Sequence, residues 1–393
     1  MSTISAFCSA LYIQIIYKSP YLYNIKLFLL LSILIFCSCS RNEQNTNIET
    51  LFFDENNKLD INDIISYKFI PLETSDDCLI NGTKQIVIED NYIYVNSGGD
   101  KLLVFDISGK FITQIGNKGN GPGEYRLICN FHINKEKGII TIADSGQNRI
   151  IYYKLSDYKH IKTKTIFYFV DCCWLSDGNI AWFFLGGYNS KNKEKYFIKI
   201  TDSQLNELNL LYPMDIELQY PIFSGSLFYT LNQNCYFNLS HISTIYKVTS
   251  SNIIPVYQLD LGIHKFAPQE WIDREAGRNY SAIVKTEYIS AQNVRETNNY
   301  VSIGYCAQGA NAYIGFYNKT TGQSYKYALP EFIRHTGLTG VGIVKNTFKD
   351  YFITALNSSI LKRNPNSKIP ELKIISENIN EEDNPVICLM KLN

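Results

Sequence analysis

Short apolar runs separated by polar turns with glycine recur along most of the chain. The clearest pair is Ile93–Phe105 (IYVNSGGDKLLVF) and Ile140–Tyr152 (ITIADSGQNRIIY), which superimpose without a gap at an offset of 47 residues. Each copy is an apolar strand, a small-polar turn with a glycine, and a second apolar strand. Apolar runs of strand length bounded by turn residues are the sequence mark of β-structure. Weaker copies follow. Cys172–Leu175 and Ile180–Phe184 flank the turn Ser176–Asn179. Leu227–Thr230 leads to Tyr246–Val248; Tyr300–Ile303 leads to Ala312–Tyr317 and the turn Asn318–Gly322; Val341–Val344 leads to Tyr351–Thr354.

Six units of roughly 45–55 residues fill the chain from about residue 70 onward, and repeats of this size and strand content are propeller blades. The pattern predicts an all-β fold, a six-bladed β-propeller with antiparallel four-stranded blades, over residues 60–393. Open sheet edges invite aggregation, so the ring must close. Alternating strands sit at both ends, Ile64–Ile70 and Val386–Leu392, and pairing of these termini within one blade is the predicted closure. One segment breaks the pattern. Pro268–Ala276 (PQEWIDREA) opens with proline and holds helix formers, which predicts a helical insertion near 268–284 between blades four and five.

The N-terminal region reads as an address. Leu27–Phe36 (LFLLLSILIF) is a ten-residue apolar run after Lys26, too short for a comfortable bilayer span and suited to the core of a signal peptide. Cys37-Ser38-Cys39-Ser40 follows and resembles a bacterial lipobox, with Cys39 as the residue to be lipidated. Residues 1–38 are therefore read as signal peptide, with 1–24 as a mis-called start and the true start near Ile25. Residues 39–59 are read as lipid anchor and tether, including the polar stretch Ser40–Thr50. The reading predicts anchorage in the bacterial envelope at the outer membrane, with its face left open because Glu43 is the sole acid near the anchor.

Composition narrows the function classes. Thirty-seven basic residues balance thirty-seven acidic ones, so there is no basic footprint for nucleic acid. Aromatic residues make up 14% of the chain, in keeping with pleated, half-buried surfaces. Beyond Cys39 lie Cys78, Cys129, Cys172, Cys173, Cys235, Cys306 and Cys388. No CxxC spacing occurs among them, so a zinc or thioredoxin-like site is unsupported and small buried hydrophobes are expected. An odd number cannot all pair internally.

The motifs resemble a known family. Gly116–Tyr125 (GNKGNGPGEY), followed by a strand and Ile142–Ile150 (IADSGQNRI), looks like an NHL-type repeat. More closely, the chain resembles the six-bladed β-propeller lipoproteins of Bacteroides-type bacteria. Phe69–Thr74 with Asp77–Ile80 looks like the family's opening, Asp383–Ile387 like its closing strand, and Glu296 sits where such proteins often carry an acid. The resemblance implies architecture and envelope location; it supplies no reaction.

Candidate chemistry is sparse. The glycine-rich Gly116–Gly123 lacks the Gly-Lys-Ser/Thr ending of a phosphate loop and follows a strand, so a blade-connecting loop is favoured. Asp144 and Arg149 are candidates for a rim contact, against a structural reading in which the acid binds turn amides and the arginine packs across blades. Glu124, Asp177 and Glu296 complete a shortlist for rim or funnel ligands. No cofactor is called for; calcium at the axis would draw on carboxylates from separate blades, which spacing does not reveal. No Gly-x-Ser-x-Gly motif is present. Tyr188, Tyr212, Tyr220 and Tyr280, near expected loops, could stack on sugars or a protein partner, or pack between blades. The function expected is a non-catalytic binding or scaffold module for a protein, glycan or peptide partner, within an outer-membrane complex or alone. The alternative is a metal-assisted hydrolase or lyase with its site in the axial funnel.

Overall fold

The computed structural model describes residues 48–54, 64–184, 196–213, 226–240, 242–276, 286–309, 311–365 and 367–393. Blade 1 is Thr83–Glu89, Tyr92–Ser97, Lys101–Asp106 and Phe111–Gln114; blade 2 is Ile128–Asn134, Ile139–Asp144, Arg149–Lys154 and His160–Thr165. Blade 3 is Asp171–Trp174, Ile180–Phe183, Tyr196–Thr201 and Glu207–Pro213; blade 4 is Phe228–Leu231, Asn234–Phe237, Thr244–Val248 and Ile253–Asp260. Blade 5 is Ala291–Glu296, Tyr300–Ala307, Asn311–Asn318 and Ser324–Ala328. Within each of these blades, neighbouring strands are antiparallel.

The two strongest sequence copies are the second and third strands of blades 1 and 2. These strands are covered on both faces by adjacent blades, which is why they read as continuous apolar runs rather than alternating ones. Their shared glycine has a physical reason. A Cβ on Gly99 would come within 2.8 Å of Leu127, and one on Gly146 within 2.9 Å of Arg126. Both turns press on the same segment where the chain enters blade 2.

Blade 6 is made from both ends of the fold. Asn346–Phe348, Tyr351–Leu356 and Val386–Leu392 form three strands, and Ile64–Pro71 adds the fourth. It pairs antiparallel with Val386–Leu392, Phe69 opposite Cys388 and Tyr67 opposite Met390. The opening and closing motifs of the sequence meet here. Asn384 is buried; its amide nitrogen donates to the Glu73 carbonyl (2.6 Å) and the Cys78 carbonyl (2.9 Å), and its amide oxygen accepts from the Ile80 N–H (2.8 Å).

Among the described residues each gap between neighbouring blades holds one apolar cluster, and a small seventh cluster, Ala267 and Ile272 with Trp271 and Tyr288, lies at the insertion between blades 4 and 5. In the gap between blades 3 and 4, Tyr212 packs its ring on Phe197 and Tyr246, so it serves the core. Tyr188, Tyr220 and Tyr280 lie outside the described residues. All seven described cysteines are free, and six are buried. Burial, then the neighbouring Cys129 thiol, pushes Cys172 well up; burial and Cys173 do the same to Cys235. These thiols behave as small hydrophobes, not nucleophiles.

Several details depart from the expectations set by the sequence. Val341–Val344 is not a strand; Val341 makes only an isolated bridge to Leu356, and the first strand of blade 6 is Asn346–Phe348. Three helices lie where the repeat pattern predicts none: α1 (Leu329–Thr336), α2 (Ser358–Arg363) and α3 (Pro370–Asn378). They cap the gap between blades 5 and 6 with Phe332, Leu361 and Leu372. Glu49–Phe52, inside the segment 39–59 read as anchor and tether, runs parallel to Ile253–Asp260 as a fifth strand of blade 4. Leu51 and Phe53 are fully buried there, and the Phe53 ring meets Tyr317 of blade 5. Between blades 4 and 5, Gln269–Trp271 and Ile272–Ala276 are helical; 277–285 lie outside the described residues.

Asn384→Ala takes a partner from the buried Cys78 carbonyl and from the part-buried Glu73 carbonyl and Ile80 N–H at the closure. Urea unfolding at an unchanged denaturant slope should show a loss of about 2–4 kcal/mol. A loss under about 1 kcal/mol would remove Asn384 from the closure.

Candidate ligand-binding funnel

The first strand of each blade lies at the ring's inner edge, against the first strands of its neighbours. Polar side chains stitch these strands into a belt. Gln85 Nε2 donates to Asn130 Oδ1 (2.8 Å), and Asn130 Nδ2 donates to Asp171 Oδ1 (3.2 Å) and the Cys172 carbonyl (2.8 Å). Asp171 Oδ2 accepts from the Ser226 hydroxyl and the Leu227 N–H, both at 2.8 Å. The Tyr229 hydroxyl donates to Glu296 Oε2 (3.0 Å), Arg295 Nε to the Lys345 carbonyl (2.9 Å), and Asn346 Nδ2 to the Ile86 carbonyl (3.0 Å). The circle thus runs through blades 1 to 6 and back to blade 1.

Inside this belt lies a cavity of about 660 Å³, lined by residues of all six blades. That volume falls in the range of small-molecule sites. Five cationic side chains line it, Lys84, Lys135, Arg295, Lys345 and Lys349, against two carboxylates, Glu89 and Glu136. Lys135 is spoken for by Glu89 and Asp90, at 3.1 Å and 2.8 Å. Arg295 is 5% exposed, and its two hydrogen bonds go to backbone carbonyls, of Lys345 and Val294. No carboxylate of the described residues is in ion-pair contact with Arg295 or Lys345. Asp171 attracts Arg295 through space, but both its oxygens are committed to four donors. Burial therefore lowers Arg295 to about 10, and burial together with the Arg295 charge holds the Lys345 ammonium below its usual range.

The wall also offers a flat aromatic surface. His132 stacks on Trp174 with ring centroids 5.1 Å apart and 11° between planes. Burial, then the Lys137 charge, lowers His132 to about 4, so its imidazole is neutral at pH 7. Gln85, another lining residue, keeps its Oε1 buried with no donor.

The candidates drawn from the sequence fall elsewhere in the ring, none among the residues lining this cavity. Glu124, Asp144 and Arg149 come together where blade 1 passes to blade 2. Asp144 accepts from the Leu127 and Gly146 amides (2.9 and 3.1 Å) and pairs with Arg149 at 3.4 Å. Arg149 donates to the Glu124 carbonyl, and the Glu124 carboxylate accepts from the Gly121 N–H at 2.7 Å. A carboxylate of the chain itself thus takes the loop amide that a phosphate would need. Asp177 caps a turn in blade 3, accepting from the Asn179 N–H (3.0 Å) and the Ser250 hydroxyl of blade 4. Glu296 is buried behind the funnel wall, held by Tyr229, Tyr257 (3.1 Å) and Lys319 (2.8 Å). Cys39 lies outside the described residues.

The profile of a family described as 6-bladed beta-propeller (DUF5128) matches residues 40–355. The chain belongs to this propeller family. Its fold is similar to that of a Bacteroides fragilis protein described as exported, with a TM-score of 0.81 and 24% identity over 88% of this chain and 99% of that one. It is also similar to a DUF4221 member from Bacteroides vulgatus, with a TM-score of 0.53 and 12% identity over 84% and 97% of the two chains. No curated protein matches the chain.

In this DUF5128 propeller the funnel residues Arg295, Lys345, Lys84 and Gln85 have no motif to announce them. They sit on or beside first strands whose sequences differ from blade to blade, and only ring closure brings them together.

His132 gives the propeller a pH signature. Its folded-state pKa lies below the ordinary histidine value, so the unfolded chain binds the extra proton. Stability is full above about pH 6.5 and falls as pH drops toward about 4, by an amount on the order of 2 kcal/mol. Calorimetric Tm profiles of wild type and His132→Gln should converge through this window as the wild type loses that component. Parallel profiles would contradict it.

Proposed function

We propose that this propeller is an envelope lipoprotein, anchored through Cys39 at the outer membrane, that acts as a non-catalytic binding or scaffold module for a protein, glycan or peptide partner. The observation that carries the binding role is the axial funnel: a preformed, cation-rich cavity floored by all six blades. A rigid ring holds such a site without induced fit, which favours recognition. The envelope address is supported by the lipobox-like Cys37–Ser40, by the exported description of the B. fragilis relative, and by the end-motif resemblance to lipoproteins. Among the described residues no helix is long and apolar enough to cross a membrane. The metal-assisted alternative receives no support from geometry: no group of three or more His, Cys, Asp or Glu among the described residues is placed to hold an ion.

Two measurements test the proposal together. Cys39→Ala should move the protein from the membrane to the soluble fraction and abolish incorporation of labelled fatty acid. Retention on the membrane with unchanged labelling would sink the anchor. A C-terminally tagged chain pulled from gently solubilised host membranes should bring down a stoichiometric partner or a bound glycan. Turnover of an envelope substrate by the purified chain would replace the binding role with catalysis.

A further inference from the structure

Resting on the funnel as the ligand site, we infer that its ligand is an acidic sugar, whose anionic group sits between Arg295 and Lys345. Two independent features on the cavity wall lead there. The first is charge. Arg295 is almost wholly buried, with its guanidinium hydrogen-bonded only to backbone carbonyls, and Lys345 lies beside it with no hydrogen-bonded side-chain partner. A buried guanidinium beside a half-buried ammonium, neither of them ion-paired to a carboxylate among the described residues, is costly to the folded chain. Lys345 in particular is repelled by its neighbour. Sites that keep such a cost are sites where a ligand relieves it, because an arriving oxyanion recovers both charges at once. The guanidinium fork suits the paired oxygens of a carboxylate or phosphate.

The second feature is aromatic. Trp174 is half-buried, stacks on the neutral His132 ring, and both rings line the cavity. An aromatic surface with polar neighbours suits the C–H face of a sugar ring. An anionic group carried on a ring with an apolar face is an acidic sugar. The cavity's volume, about 660 Å³, admits one or two such rings.

The test uses the full-length protein in detergent, titrated calorimetrically at fixed ionic strength with galacturonate, galactose 6-phosphate, galactose and acetate. The inference expects galacturonate or the phosphate to bind at least about tenfold more tightly than galactose or acetate, and the better of the two names the anionic group. Lys345→Gln should weaken that binding by about tenfold and leave galactose unaffected. The same variant separates a binding role from a structural one: relieved repulsion keeps or raises the Tm of the unliganded protein, whereas a structural lysine lowers it. Arg295→Met should abolish the anion preference; should it fail to fold, Lys345→Gln alone carries the test. Equal binding of galactose and galacturonate overturns the acidic-sugar assignment while leaving the binding module intact. Acetate binding as tightly as galacturonate also overturns it. Anion binding indifferent to Lys345→Gln moves the site elsewhere and overturns it too, as does the absence of any binding. The last result, joined to an empty pull-down, would remove the binding module as well.

Discussion

The fold depends on one act of closure. Blade 6 has no consecutive stretch of chain behind it; its fourth strand, Ile64–Pro71, comes from the other end of the fold and pairs with Val386–Leu392. Asn384 fixes the register from the side, tying the entry to blade 1 to the last turn before the closing strand. Without this pairing two strand edges stand open and the gap between blades 6 and 1 loses its apolar filling. The axial cavity exists only because the ring is shut, since its lining converges from six places far apart in sequence.

Closure also sets the electrostatics of the axis. The first strands spend their short polar side chains on one another, from Gln85 through Asn130 and Asp171 to Ser226. That belt consumes the nearest buried carboxylate, Asp171, in four hydrogen bonds, and Glu296 is consumed by two tyrosines and Lys319. The negative charge that could have neutralised Arg295 and Lys345 is used in holding the wall together. What faces the cavity is therefore positive, next to a neutral aromatic stack. This positive charge at the axis, without an ion-paired carboxylate on Arg295 or Lys345 among the described residues, is the feature on which the proposed binding role rests.

Much of the architecture is legible in the sequence because local pattern and global fold agree. The copies at Ile93–Phe105 and Ile140–Tyr152 are hairpins covered on both faces, so their apolar runs are continuous and aligned. The two end motifs read as strands and do pair. The sixth unit misleads in detail because apolar Val341–Val344 carries no ladder, while polar Asn346–Phe348 does. The helices over blades 5 and 6 escape the repeat pattern despite local signals: Pro330 in the first turn of α1, Gly337 at its end with φ of 73°, Asn357 as a cap of α2 and Pro370 opening α3. The site is less legible than the fold. Repeated turns draw the eye to residues such as Asp144, Arg149 and Asp177, whose side chains are hydrogen-bonded within the ring. The funnel residues share no spacing, since a lysine, a glutamine, an arginine and a second lysine from separate parts of the chain converge only in three dimensions.

The central claim is that ligands meet this protein at the axis of the ring. Hydrogen–deuterium exchange of the full-length, membrane-anchored protein, with and without an extract of the host's own envelope, tests that claim most directly. The account predicts added protection in the first strands, at Lys84–Glu89, Asn130–Asn134 and Asn346–Phe348, with the outer strands unchanged. Protection confined to outer strands such as His160–Thr165 or Ile253–Asp260, with the axis unaffected, would contradict it.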